Sequence, residues 1–344
     1  MIKPWIFEFF HTLSAGDKAA GVTVKAHFDR HIDLWTRDEA LGYEGIFFSE
    51  HHFGPGYSPA PNMLVAAMAS RTTKLRLGTL GASAAHLTAL RIVEEAAMLD
   101  NLTDGRFEFG IVRGAPPELM ELNLTIEQAE ARFEATLSAV DAAFHTANTA
   151  FTCSGAVVTP PMRQADPPKW LAITGERSAR RAGALGWKAC SGFISLDALR
   201  AHFDAYREAV GKSFNEAAEF LGVRRLVKFV PDRGAVAETK AAVKQATLAI
   251  LKGGAPSPTP TGKSNVVIDI DAVVGKLLSD DEFVVGTPAD VAEQIVHQCR
   301  TAGCAHFLAN LNSSEDFAEV SQTHATFGEQ VIPILRKAKL GSAI

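Results

Sequence analysis

Two adjacent histidines behind a glutamate, Glu50-His51-His52-Phe53, follow the apolar run Gly45–Ser49. Imidazole gains and loses a proton near neutral pH, so His51 and His52 at a strand end are candidates for acid–base work or cofactor contact. The alternative is a rim histidine that only hydrogen-bonds its surroundings. Metal ligation is not expected, because neighbouring histidines do not readily face one ion and no third ligand is evident nearby. A second candidate is Arg113, at the end of Gly110-Ile111-Val112-Arg113-Gly114. A charge there needs an anionic partner, and the guanidinium fork suits a phosphate, although a barrel carboxylate would also satisfy it. A third is Thr174-Gly175-Glu176-Arg177-Ser178-Ala179, which opens a helix. Free N–H groups at a helix start bind anions and a serine hydroxyl adds a donor; the plainer reading of Ser178 is an N-cap. Together, Arg113 and this loop suggest one phosphate site.

The elements that must position these residues alternate along the whole chain. Strands are expected at Trp5–Phe10, Gly45–Ser49, Lys74–Leu80, Arg106–Val112, Lys169–Thr174, Trp187–Ser191, Arg224–Val230 and Ala305–Asn310, with helical patterns between them. Strand followed by helix throughout implies a parallel sheet, and eight such strands imply a single TIM-type (β/α)₈ barrel spanning residues 1–344. An open doubly wound sheet is the competing architecture, with fewer repeating units. Barrel active sites lie where strands end and loops begin, and all three candidates are at such ends. Two stretches break the rhythm. Thr149–Pro168, with Pro160, Pro161, Pro167 and Pro168, reads as an insertion after strand 4. Gly253–Glu282, which begins Gly-Gly-Ala-Pro-Ser-Pro, reads as an insertion after strand 7 and as a mobile lid.

The bulk properties exclude several classes. A net charge of −5 without a basic stripe argues against nucleic acid. No run of about 18 apolar residues is present, so no membrane span is expected, and Met1–Phe10 lacks the layout of a signal peptide. Cys153, Cys190, Cys299 and Cys304 form neither a C-x-x-C pair nor a zinc pattern, and are read as reduced thiols of a cytoplasmic protein.

Gly45-Ile46-Phe47-Phe48-Ser49-Glu50-His51-His52-Phe53 resembles the Glu-His-His-Phe segment of bacterial luciferase and its flavin-dependent monooxygenase relatives. Gly78-Thr79-Leu80, Arg91 and the run from Leu99-Asp100-Asn101-Leu102-Thr103-Asp104-Gly105-Arg106 to Gly114 follow the same family. The similarity returns in Val285-Gly286-Thr287-Pro288-Ala289-Asp290-Val291 and in His306–Leu311. The Leu-Asp-x-Leu-x-x-Gly-Arg run is the specific signature. The resemblance implies a barrel, as a homodimer, that binds reduced FMN and oxidises a small organic substrate with O₂ through a flavin hydroperoxide. It also implies a separate NAD(P)H:flavin reductase. Arg113 matches the family's phosphate-binding arginine; Glu176, Arg177 and Ser178 fall in its phosphate loop. His51 matches its catalytic histidine, with His52 beside it. Thr79, Gly81 and Ala82 are carried over as flavin contacts, and Gly81-Ala82-Ser83 is small enough for the non-prolyl cis peptide that members carry after the third strand.

The departures matter. Val112 stands where luciferase has a reactive cysteine, and Ala85-His86-Leu87-Thr88 lacks the usual proline and histidine, His86 being two positions out of register. Light emission and long-chain aldehyde specificity are therefore not carried over. Two further readings remain open: a deazaflavin-dependent reductase or dehydrogenase of the same superfamily, and a non-catalytic flavin-binding subunit. Retention of His51 and Arg113 argues against the second.

Overall fold

Short, mostly buried runs, many rich in aromatic and branched residues, make the strands β1 (Lys3–Glu8), β2 (Gly45–Phe48), β3 (Arg76–Thr79), β4 (Ala82–Ser83), β5 (Phe107–Val112), β6 (Thr152–Cys153), β7 (Ala156–Val157), β8 (Lys169–Ala172), β9 (Lys188–Ser191), β10 (Leu221–Phe229), β11 (Phe283–Gly286) and β12 (His306–Asn310). The structure is a computed structural model describing residues 1–54, 56–146, 151–253, 278–312 and 316–340. Parallel pairings run β1–β2–β3–β5–β8–β9–β10–β12 and return from β12 to β1, which closes an eight-stranded barrel with helices around it. The TIM-type expectation holds.

Helix ends follow from local chemistry. Thr125 caps helix Ile126–His145 and Thr287 caps helix Pro288–Ala302, each hydroxyl accepting a first-turn N–H. Gly42, at φ 87°, ends helix Val24–Leu41 in the left-handed conformation that glycine tolerates.

The barrel is filled, so a ligand must sit at a rim and not in a pore. Trp5, Phe7, Phe47, Leu80, Trp170, Cys190 and Leu308 pack inside it, with Trp5 stacked on Phe47 at 4.9 Å between ring centroids. The indole N–H of Trp5 meets His306 Nδ1 at 2.9 Å, and that of Trp170 donates to Glu108 at 2.5 Å, so the buried polar ends are satisfied. A larger apolar layer lies between strands and helices.

The seam between β3, β4 and β5 is unusually close. A Cβ at Gly110 would stand 2.3 Å from the Thr79 carbonyl oxygen, and one at Gly81 would stand 2.6 Å from the Ile111 nitrogen. The Leu80–Gly81 peptide bond, at this seam, is cis and non-prolyl.

The family signature has a structural explanation at the opposite, N-terminal rim. Buried Asp100 accepts from Arg163 N, Gln164 N and Gln164 Nε2, each at 2.7 Å, and so ties down the insertion after the fourth barrel strand. Arg106 donates to Thr72 and to the carbonyls of Ala69, Thr72 and Leu75. This run holds the barrel's base together.

The expected strand list is incomplete, and the two expected insertions stand as follows. The insertion Thr149–Pro168 contains an antiparallel pair, β6 with β7, within its described part. The segment Phe283–Gly286 is a strand, pairing with the second half of β10. Four residues behind an acidic turn are too short to show a period. The proposed lid Gly253–Glu282 falls largely on residues 254–277, which lie outside the described residues. Its last member, Glu282, is wholly buried and bound to the barrel.

Candidate active site

The loop after β2 folds back on itself, because Ser58 Oγ donates to the Ser49 carbonyl at 2.6 Å and His51 N donates to the Ser58 carbonyl. The two histidines consequently diverge. His51 Nδ1 meets Glu118 Oε1 at 3.1 Å, and its ring stacks on Phe9 with centroids 5.5 Å apart. Glu118 is 5% exposed and also accepts from His52 N and Ala115 N. Burial works to raise the Glu118 carboxyl, but the hydrogen bonds from His51, His52 and Ala115 outweigh it and hold it below the usual carboxylate range. A carboxylate on Nδ1 orients the ring and leaves Nε2 as the proton acceptor.

His52 faces the other way. Its Nε2 lies 3.0 Å from Glu50 Oε1, while Glu50 Oε2 accepts from Ser83 N at 3.2 Å. The His86 ring stacks on His52 at 3.8 Å and 18°, and its Nδ1 meets Ser83 Oγ at 2.9 Å. The hydrogen bond to Glu50 lifts His52 above the ordinary imidazole value, whereas burial, then His52 itself, pushes His86 down. One ligand-type atom each from Glu50, His52 and His86 lies within 4.8 Å of the others, so the structure supplies the third donor that the sequence did not reveal.

The Glu50–His52 pair predicts a pH effect. A histidine whose folded pKa is raised above the unfolded value of about 6.5 gives its full stabilisation below that value and loses it as pH rises through the raised pKa. Urea melts of the protein and of Glu50→Gln should therefore differ most near about pH 6 and converge as pH rises. A gap independent of pH would show that the pair does not titrate as described.

The other candidates gather after β5 and β8. Arg113 Nη1 is 3.5 Å from Glu130, on helix Ile126–His145. Arg177 lies 3.4 Å from Glu130 and 3.2 Å from Glu134, and Arg181 is 3.5 Å from Glu130 and also pairs with Glu134. Three guanidiniums thus surround two carboxylates, leaving one positive charge in excess. Arg113 Nε is buried without a partner among the described residues. Helix Glu176–Leu185 starts at Gly175, where a Cβ would have nothing within 4 Å, so the space before its first-turn N–H groups is open. Those features fit a phosphate.

Ser178 and Glu176 are placed differently from Arg177. The Ser178 hydroxyl accepts from Thr174 N and Gly175 N and donates to Gly175 O, so it closes its own turn. Glu176 is exposed beside Arg180. Thr79, Gly81 and Ala82 are buried in the β3–β5 seam.

Residues 7–306 match the sequence profile described as luciferase-like monooxygenase. The chain belongs to this family. Among its luciferase-like relatives is the uncharacterized protein y4wF of Sinorhizobium fredii, 29% identical over 306 residues, covering 86% of this chain and 87% of that one. The oxygenase component of the flavin-dependent trigonelline monooxygenase of Acinetobacter baylyi is 35% identical over 95 residues, 27% of this chain and 26% of its own length. The fold matches monooxygenase RslO1 from Streptomyces bottropensis at a TM-score of 0.77 and 23% identity, covering 96% of this chain and 99% of that one. It also matches the coenzyme F420 dependent tetrahydromethanopterin reductase of Methanopyrus kandleri at 0.68 and 16%, covering 96% and 99%. The family is one of oxidoreductases. No helix among the described residues is long and apolar enough to cross a membrane, and all four cysteines are free and buried.

Sequence reasoning missed Glu118, Glu130 and Arg181 at this candidate site, and noted His86 only as a departure from the luciferase-like pattern. Only Glu118 carried a local signal: it is the third residue of a helix begun by Pro116, a position that usually marks a cap. The others are ordinary helix-surface or loop residues until the barrel brings them together.

Proposed function

We propose that this protein is the oxygenase of a two-component system. It binds reduced FMN, uses O₂ to oxidise a small organic substrate, and receives its flavin from a separate NAD(P)H:flavin reductase. The observation that supports this reading is the loop after β5. It carries Arg113 into the arginine cluster at the start of helix Glu176–Leu185 and, five residues on, Glu118 onto His51. An anion clamp and an oriented base on one rim suit a phosphate-bearing cofactor with chemistry at its other end.

In this reading Arg113, Arg177, Arg181 and the helix start hold the phosphate. Thr79, Gly81 and Ala82 form a floor on which a planar ring can lie close to backbone. Phe9 walls the mouth and excludes water from it. His51 Nε2 accepts a proton from the substrate or reacting oxygen and returns it. Bound reduced flavin supplies the electrons for oxygen activation.

The reading extends to one domain over the whole chain, to a reducing cytoplasmic location, in keeping with the free cysteines, and to a homodimer. For the dimer, exposed Met63, Met98 and Leu102 on neighbouring helices Pro61–Ala69 and Ala89–Leu102 offer an apolar face. A deazaflavin-dependent reductase remains the second reading, supported by the Methanopyrus kandleri likeness.

Fluorescence titration of the purified protein with FMN, riboflavin and the deazaflavin coenzyme separates them. FMN should bind most tightly, and NADH alone should drive no turnover without an added reductase. Tighter binding of the deazaflavin, or robust NADH-driven turnover by the pure chain, would overturn the proposal.

A further inference from the structure

Arg224 is an arginine on the inner wall of the barrel. Its residue is 4% exposed, and its guanidinium carbon lies 3.8 Å from the centre of the Phe193 ring and 5.7 Å from that of Phe9. Phe9 is the ring that stacks on His51. The guanidinium and the candidate base thus both pack against Phe9. Space for it is built into the chain, since a Cβ at Gly192 would stand 2.8 Å from Arg224 Nε.

Its charge is only partly answered. Glu282, itself buried, bonds to Arg224 Nη2, to Arg225 Nη1 at 3.2 Å and to Phe193 N at 2.7 Å. Arg225 turns outward to Gln298 on helix Pro288–Ala302, at 2.8 Å. Two guanidiniums share one carboxylate, so the trio keeps one positive charge, and Arg224 is the member that faces inward. A guanidinium has five N–H donors. Among the described residues, Nη2 is the one nitrogen of Arg224 with a hydrogen-bond acceptor. Nε and Nη1 of Arg224 have no acceptor among the described residues and are not sealed from solvent, so they are free to meet a ligand at the mouth, whereas the unpaired Nη2 of Arg225 is fully buried and out of reach.

We propose that Arg224 anchors the substrate, and that the substrate is a carboxylate on a planar, largely apolar body lying against Phe9 and Phe193. This inference rests on the reading of the barrel mouth as the active site and names the substrate class for it. Arg224 supplies the charge-assisted donors, the two rings supply the flat walls, and His51, stacked on Phe9, stands at the reacting end.

Calorimetric titration with matched pairs tests it: benzoate against benzamide, and 2-naphthoate against 2-naphthamide, each with and without FMN. At least one acid should bind tenfold or more tightly than its amide. Arg224→Gln should erase that preference, and Arg224→Lys should retain part of it, with FMN affinity unchanged in both. Gly192→Ala, which keeps every charge but presses a methyl group on Nε, should also weaken acid binding. Should Arg224→Gln fail to fold, the acid–amide comparison in the unaltered protein and Gly192→Ala decide the matter. No acid–amide preference, no binding of either acid, or a preference that survives in Arg224→Gln would overturn the proposal. FMN binding without acid preference sinks this inference alone. Acid binding that depends on Arg224 in a protein that fails to bind FMN sinks the flavin reading and leaves this one standing.

Discussion

His51→Ala should lower substrate oxidation by about a hundredfold or more while FMN affinity and melting temperature stay close to those of the unaltered protein. The expectation follows from how the ring is held. Glu118 bonds Nδ1 at 3.1 Å and Phe9 stacks on the ring face, so Nε2 is the nitrogen left to exchange a proton in the mouth. General acid–base groups of this kind contribute about 10²–10⁴-fold in rate. Stability should change little, because Glu118 keeps its two backbone donors, His52 N and Ala115 N, after the imidazole is gone. Added imidazole should restore part of the lost rate. Activity and stability that fall in proportion, or neither falling, would make His51 a rim residue and pass the role to His52.

Arg113→Ala should weaken FMN binding about tenfold or more and leave riboflavin binding nearly untouched. A charge-assisted hydrogen bond is worth about 1.5–3 kcal/mol, and the substitution also cancels the one excess positive charge of the Arg113, Arg177, Arg181, Glu130 and Glu134 cluster. Arg177→Ala should cost less, since the Arg177 side chain is 75% exposed and its interactions are screened by water. Paired titrations with FMN and riboflavin read this directly. Equal losses for the two ligands would exclude a phosphate role for Arg113.

Much of this architecture is legible in the order of the residues. Strand and helix patterns depend on local periodicity, so the repeated alternation of strand and helix from Trp5 onward implies a parallel barrel. The strand ends place Glu50-His51-His52 and Arg113 at one rim by counting alone. Local reading reaches its limit where length or direction decides. β11, only Phe283–Gly286, is too brief to show a period, and the hydroxyl of Ser178 closes its own turn. The signature Leu-Asp-x-Leu-x-x-Gly-Arg marks the family, yet Asp100 and Arg106 tie down loops at the far rim from the candidate site.

The sequence by itself determined the barrel class, the family, and the strand-end positions of His51, His52 and Arg113. Tertiary structure alone decided their partners and so their chemistry. Glu118 meets His51 across 67 positions of chain, Arg76 meets Glu108 across 32 in the wall, and Arg224 meets Glu282 across 58. It also decided that His52 and His86 stack, and that Arg224 turns inward while Arg225 turns out. The reason is physical: periodicity is set by neighbours along the chain, whereas charge pairing and side-chain direction at the rim are set by strand register and helix packing. Register follows from pairing distant strands, and a slip of one residue would exchange every inward side chain for an outward one.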